Sequence, residues 1–233
     1  MENQLSIGAV WSGLGARLAS SGLPSGLLAL LAFLPLAGLA LISPGQVQAD
    51  NSREFLLAAV LLSRVFTPPV AALMVAYLAR KEGRLPAESS LVKLFRANAF
   101  PSVGLVLGVA IFTFVSGFLL VVPGVAFALA TCIVLPVLVV EGVHGPPAVK
   151  RSWELTRGHR WQLLMFWSGL FLASALFLLL LFAVSTDHVA GLIEPLPLVQ
   201  HAAFLPMVVG LSFVYGVVVI ASYQIYTRLV PHS

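Results

Sequence analysis

The sequence predicts an all-α membrane fold of about six transmembrane helices with short cytoplasmic interfacial helices, forming a single polytopic domain over residues 1–233. Three observations carry this expectation. Of the residues, 59% are hydrophobic and 9% charged, against about 25% charged in a soluble domain. So few charges cannot cover a surface that faces water, and most of the exterior must face lipid. Apolar runs of roughly 20 residues, long enough to cross a hydrocarbon core, recur along the chain. The Lys and Arg residues collect in alternate loops, which is the positive-inside pattern of a membrane protein and not the basic groove of a nucleic-acid binder.

Taken in order, Ile7, Val10, Trp11, Leu14 and Leu18 share one helical face, with Arg17 beside them. This spacing predicts a short helix in the cytoplasmic interface over residues 5–18. A first span follows over Leu23–Ile42. Val47-Gln48-Ala49 has the form of a signal-peptidase site, but the run before it is span-length and its leader weakly basic, so the span is expected to stay uncleaved. The second span, Phe55–Ala79, contains Arg64 and Pro68-Pro69. A basic loop with Arg80, Lys81, Arg84, Lys93 and Arg96 comes next, where Ser89 or Ser90 can cap a short helix bearing Leu91, Leu94 and Phe95. The chargeless stretch Ala97–Val140 holds two spans, Phe100–Val122 and Val125–Val140, separated at Pro123-Gly124. The fifth span is Gln162–Ser185 and the sixth Ala203–Tyr226, with Asp187, His188, Glu194, Pro195 and Pro197 in the loop between them. With both termini inside, every Lys and Arg except Arg53 and Arg64 is cytoplasmic. That orientation suits the bacterial cytoplasmic (inner) membrane.

Two stretches echo each other. Glu82-Gly83, Pro86-Ala87 and Leu94-Phe95-Arg96-Ala97-Asn98 with Phe100 parallel Glu141-Gly142, Pro147-Ala148 and Leu155-Thr156-Arg157-Gly158-His159 with Trp161. Each follows one span and precedes another on the same side. The pattern suggests a parallel repeat of three units, each an interfacial helix plus a two-span hairpin, with the N-terminal helix as the most degenerate copy.

The second of these stretches is the most informative. Pro123-Gly124, Pro136, Glu141-Gly142, Ala148, Arg151-Ser152-Trp153, Leu155-Thr156, Gly158 and Trp161 occur in that order. Over about residues 120–180 this resembles the glycerophosphoryl diester phosphodiesterase membrane domain family and related bacterial inner-membrane proteins. The resemblance implies a multi-span fold. It implies little about activity, because the family takes its name from a separate catalytic domain fused to some members, for which this chain is too short.

The residues support their own reading. Pro146-Pro147 suits a helix start and Gly158 a helix end. Between them Val149, Trp153 and Thr156 share a face with Ser152 beside it, and Trp153, Trp161 and Trp167 fall where an aromatic belt belongs. A plain interfacial anchor explains this. The sharper expectation is that the Ser-Trp-x-Leu-Thr-x-Gly run docks into the mouth of the bundle, with Glu141 paired to Arg151 or Arg157 around a gate or a lipid-headgroup site. Arg64, a charge inside an apolar span, must face the bundle interior or snorkel to the outer edge.

No histidine pair has metal-ligand spacing, Cys132 sits alone in an apolar run, and neither a nucleotide-binding glycine loop nor a serine nucleophile elbow occurs. No cofactor is expected, and the partners expected are the lipid bilayer and a membrane protein or second copy. The leading expectation is a non-enzymatic membrane protein that assists transport, lipid handling or envelope homeostasis. A small-solute or lipid transporter is the alternative, and an intramembrane lipid enzyme using Glu141, Arg157 and His159 is a third.

Overall fold

A computed structural model describes residues 6–34, 52–86, 90–119, 121–190 and 197–230. They form eight helices and no strand: α1 (Ile7–Ala32), α2 (Ser52–Lys81), α3 (Leu91–Leu119), α4 (Val121–Thr131), α5 (Val134–Val140), α6 (Pro146–Thr156), α7 (Arg160–Ala190) and α8 (Pro197–Leu229). Five stretches among them are long and apolar enough to cross a membrane: Leu61–Lys81, Leu91–Ser116, Val122–Val140, Arg160–Leu181 and Val208–Leu229. The two limbs of α1 make a sixth when counted as one span.

The bend in α1 follows from one residue. Its limbs, Ile7–Ser21 and Pro24–Ala32, meet at 88°. Pro24 has no N–H to return to the carbonyl of Ser20, four residues back. Lys81, at the end of α2, takes that role: its Nζ donates to the Ser20 carbonyl and the Ser21 hydroxyl, both at 2.8 Å. The first limb buries Val10 and Leu14, as its apolar face predicts, and sets the Trp11 ring 4.9 Å from that of Phe166 on α7. The residues beyond Leu34 that complete the expected first span lie outside the described residues.

α2 and α8 form the centre of the bundle. Met74, Val75 and Ala79 on α2 and Ile220, Tyr223 and Ile225 on α8 are buried. Small residues let these helices and α1 approach, since a Cβ at Gly216 would already touch Ala29. α3 lies at the periphery, packed on α2 and α4, and presents Phe100, Ile111 and Phe114 outward. In a bilayer such a face meets lipid tails as apolar as itself, so it needs no protein cover.

The second repeat unit departs from expectation. In place of a separate interfacial helix before the third span, α3 runs unbroken from Leu91 to Leu119. The matching stretch in the third unit does break, between α6 and α7, where Gly158 adopts φ +92°. The residue corresponding to Gly158 is Ala97, the best helix former, so the chain continues helically where its counterpart turns. The fourth span carries a break of its own at Cys132-Ile133, between α4 and α5. Pro136 accounts for it, because its ring displaces the helical bond to Cys132. Pro123-Gly124, expected as the turn between the third and fourth spans, lies instead in the first turn of α4, where a proline lacking an N–H is tolerated, and α3 ends earlier, at Leu119.

Candidate functional site

Basic residues gather at one end of the bundle, and two acidic residues there each pair with one of them. Glu82 and Glu141 each follow the last turn of a span, α2 and α5, and each is followed by a glycine of positive φ, Gly83 at +72° and Gly142 at +66°. After α2 the turn closes with the Arg84 amide donating to the Ala79 carbonyl at 2.8 Å, the six-to-one bond of a Schellman end. Both carboxylates are thereby held at the same depth relative to their spans.

Each carboxylate then accepts from an arginine of an interfacial helix and a tyrosine of α8. Glu82 lies 2.9 Å from Arg17 Nη2 and accepts from the Tyr223 hydroxyl at 3.1 Å. Glu141 accepts from Arg151 Nε at 3.1 Å and from the Tyr226 hydroxyl at 3.3 Å. Tyr223 and Tyr226 are three residues apart on α8, with rings stacked at 6.4 Å, and carry the guanidinium groups of Arg17 and Arg84 over their faces at 4.8 and 5.8 Å. Arg84 also donates to the carbonyls of Val230 and Thr227 at 2.8 and 3.4 Å, capping the C-terminus of α8 where a cation is favoured. Arg17 reaches Thr227 Oγ1 at 3.1 Å as well. The Arg17 side chain is 18% exposed, which makes this the clasp with the drier arginine. The arginine of the other clasp, Arg151, is two-fifths exposed and correspondingly weaker.

α6 docks on the break in the fourth span. The last carbonyls of α4 have no helical donor once the helix stops at Thr131. Ser152 Oγ donates to the Ala130 carbonyl at 2.7 Å, and Thr156 Oγ1, one turn on, approaches it at 3.5 Å while donating to Ser152 O at 2.9 Å. Ser152 and Thr156 are wholly buried, together with Ala148. The buried face of α6 is therefore Ala148–Ser152–Thr156. Trp153, expected on that face with Thr156, stands at its edge and is 38% exposed, because two hydroxyls with a carbonyl to satisfy outrank an indole that packs equally well against lipid. Arg160 covers the Trp153 ring at 4.1 Å.

The remaining sequence candidates scatter. Arg157 is exposed and serves as C-cap of α6, Gly158 makes the turn, and Trp161 is 71% exposed at the start of α7. His159 pairs with Gln162 at 3.0 Å. No hydrogen bond among the described residues joins Glu141, Arg157 and His159. Arg64 lies on α2, but its side chain is outside the described residues. Tyr223, Tyr226 and Arg17 were not singled out by sequence reasoning. The available signal was two tyrosines at helical spacing just inside the basic end of an otherwise apolar span.

Beside α6 an apolar groove of about 520 Å³ runs between α3 and α4, within the range of small-molecule sites. Gly104 and Gly108, one turn apart, form one wall, and a Cβ at either would meet nothing within 4 Å. Phe112 and Phe127, with rings 4.5 Å apart, close one end, while Lys150 and Trp153 stand at the α6 side. A smaller groove of about 310 Å³ lies under Trp11, between the first limb of α1, α7 and α8. No group of three or more His, Cys, Asp or Glu among the described residues is placed to hold a metal ion. Family models, curated proteins and solved structures contain no match to this chain.

Proposed function

We propose that this chain is a non-enzymatic multi-span protein of the bacterial cytoplasmic membrane, with both termini in the cytoplasm, and that it handles lipid. The likeness of its Arg151–Trp161 segment to the glycerophosphoryl diester phosphodiesterase membrane domain family belongs to the same proposal. The observation that carries it is the groove between α3 and α4. Its walls are apolar, two glycines keep it open, and one end reaches the basic face where headgroups would lie. An acyl chain fits such walls, whereas a hydrated solute would leave its polar groups unsatisfied there. Glu82, Glu141, Arg17 and Arg151 at the basic end are occupied in clasps that fix helix to helix, which suits a binding scaffold.

The test is crosslinking of the reconstituted protein with phosphatidylcholine carrying a photoreactive acyl chain. Adducts should concentrate on the peptides around Gly104–Phe112 and Phe127 and fall in a Gly108→Leu variant that fills the groove. Adducts spread evenly over the outward faces of α3 and α7, and indifferent to Gly108→Leu, would remove the lipid-handling reading.

A further inference from the structure

Where the α3–α4 groove meets the basic end, its chemistry changes from apolar to cationic within one turn of α6. Lys150 lines the groove and is exposed, and it forms no ion pair within 4 Å among the described residues, not even with Glu154 four residues on. Trp153 lines it too, and the Arg160 guanidinium lies over that indole ring, 4.1 Å from its centroid, with its Nε buried and unpartnered. Of the nearby acids, Glu141 is engaged by Arg151 and Tyr226, and Glu154 is exposed. The residues Lys150, Arg151, Arg157 and Arg160 against Glu141 and Glu154 leave the mouth positive. The start of α6 adds little to this, because Pro146 and Pro147 have no N–H to offer an anion. The attraction must come from side chains.

We infer that this groove is a site for an anionic phospholipid. One acyl chain lies along Gly104 and Gly108, and the phosphodiester sits against Lys150 with Trp153 at the level of the ester groups. The inference rests on the lipid-handling reading and adds the headgroup class to it. Charge complementarity decides the class. A zwitterionic headgroup would bring its own cation toward Lys150 and Arg160, whereas a headgroup of net negative charge brings none. A cation near the membrane surface favours an anionic lipid by about fivefold, and the phosphate oxygens can accept charge-assisted hydrogen bonds from the Lys150 ammonium.

The experiment incubates the full chain in detergent with equimolar phosphatidylglycerol and phosphatidylcholine of identical acyl chains, and counts retained lipids by native mass spectrometry. The parent should retain phosphatidylglycerol at least about fivefold over phosphatidylcholine. Lys150→Gln should reduce that preference by about fivefold, while Lys93→Gln, an exposed cation off the groove, should leave it intact. Gly104→Leu/Gly108→Leu should lose both lipids without lowering the melting temperature, since leucine is the better residue in a lipid-facing helix. Equal retention of the two lipids by the parent, or equal effects of Lys150→Gln and Lys93→Gln, overturns the headgroup inference and leaves the groove as an acyl-chain site. Full retention of both lipids by the double leucine variant removes the groove from lipid binding altogether, and the functional reading with it.

Discussion

Replacing Ser152 by alanine isolates the bond that docks α6 on the bundle. The hydroxyl donates to the Ala130 carbonyl at 2.7 Å in a wholly buried position, so its loss leaves that carbonyl without a good donor. Thr156 Oγ1 stands 3.5 Å away and is already committed to Ser152 O, so it replaces little of the bond. An orphaned buried acceptor costs about 1–3 kcal/mol. Hydrogen bonds between transmembrane helices measure lower, about 0.6 on average and up to about 1.7 kcal/mol. Alanine returns up to about 0.5 kcal/mol through its better helix propensity. The net expectation is a loss of about 1 kcal/mol, which lowers the melting temperature of a chain this size by about 2–4 °C. Thr156→Val keeps shape and removes a hydroxyl that bonds mainly within its own helix, so it should shift melting by less than about 1 °C. Thermal unfolding in detergent, followed by circular dichroism, reads both. A Ser152→Ala variant as stable as the parent, or less affected than Thr156→Val, refutes the claim that α6 is held by the broken span's carbonyl.

Gly158→Ala forces a side chain into φ +92° and should cost about 1–2 kcal/mol, while Ala97→Gly, inside the continuous α3, should cost about 1 kcal/mol; a Gly158→Ala variant as stable as the parent in denaturation, or an Ala97→Gly variant more stable than it, would contradict the assigned break. Glu82→Gln should destabilise by about 1–3 kcal/mol because it strands a largely buried Arg17, and Glu141→Gln by less than about 1 kcal/mol because Arg151 reaches solvent; the reverse order in thermal melts refutes the assignment of the drier clasp. A reporter inserted near Glu88 or His144, or fused after Ser233, should signal cytoplasm, and one near His188 periplasm. A periplasmic signal at residue 144 sinks the proposed orientation.

Element type and order were legible in the sequence because they depend on local quantities. The length of an apolar run fixes a span, and Pro123, Pro146 and Gly158 punctuate the chain by stereochemistry that needs no tertiary context. The bend at Pro24 and the break at Cys132-Ile133 were less visible. A proline in an apolar span permits a kink, but its size depends on which donor fills the vacated carbonyl. Here that donor is Lys81, from a helix about sixty residues away in sequence. The continuity of α3 could have been read by comparing Ala97 with Gly158. Glu141 was expected to pair with Arg151 or Arg157, and Arg151 is the partner found, whereas the tyrosines completing both clasps were hidden in an apolar run. Periodicity alone cannot tell a tyrosine that packs from one whose hydroxyl reaches a carboxylate on another helix. Trp153 was expected within the buried face of α6 and stands at its edge: side-chain size argued for burial, and the unmet carbonyl of Ala130, invisible in sequence, gave the central place to Ser152.

The placement of Tyr223 and Tyr226 bears on how the chain is made. Glu82 and Glu141 leave the ribosome with the first four spans, but the hydroxyls they require sit six and three residues before the end of α8 at Leu229. Until α8 is inserted, Arg17 and Glu82 have each other but no tyrosine over them, and Glu141 has Arg151 alone. The basic end is therefore completed in a single late event, when one helix delivers both tyrosines and the terminal carbonyls that Arg84 caps. A chain terminated before residue 223 would carry most of its spans yet keep that face open, and membrane quality control would meet it as an unfinished protein.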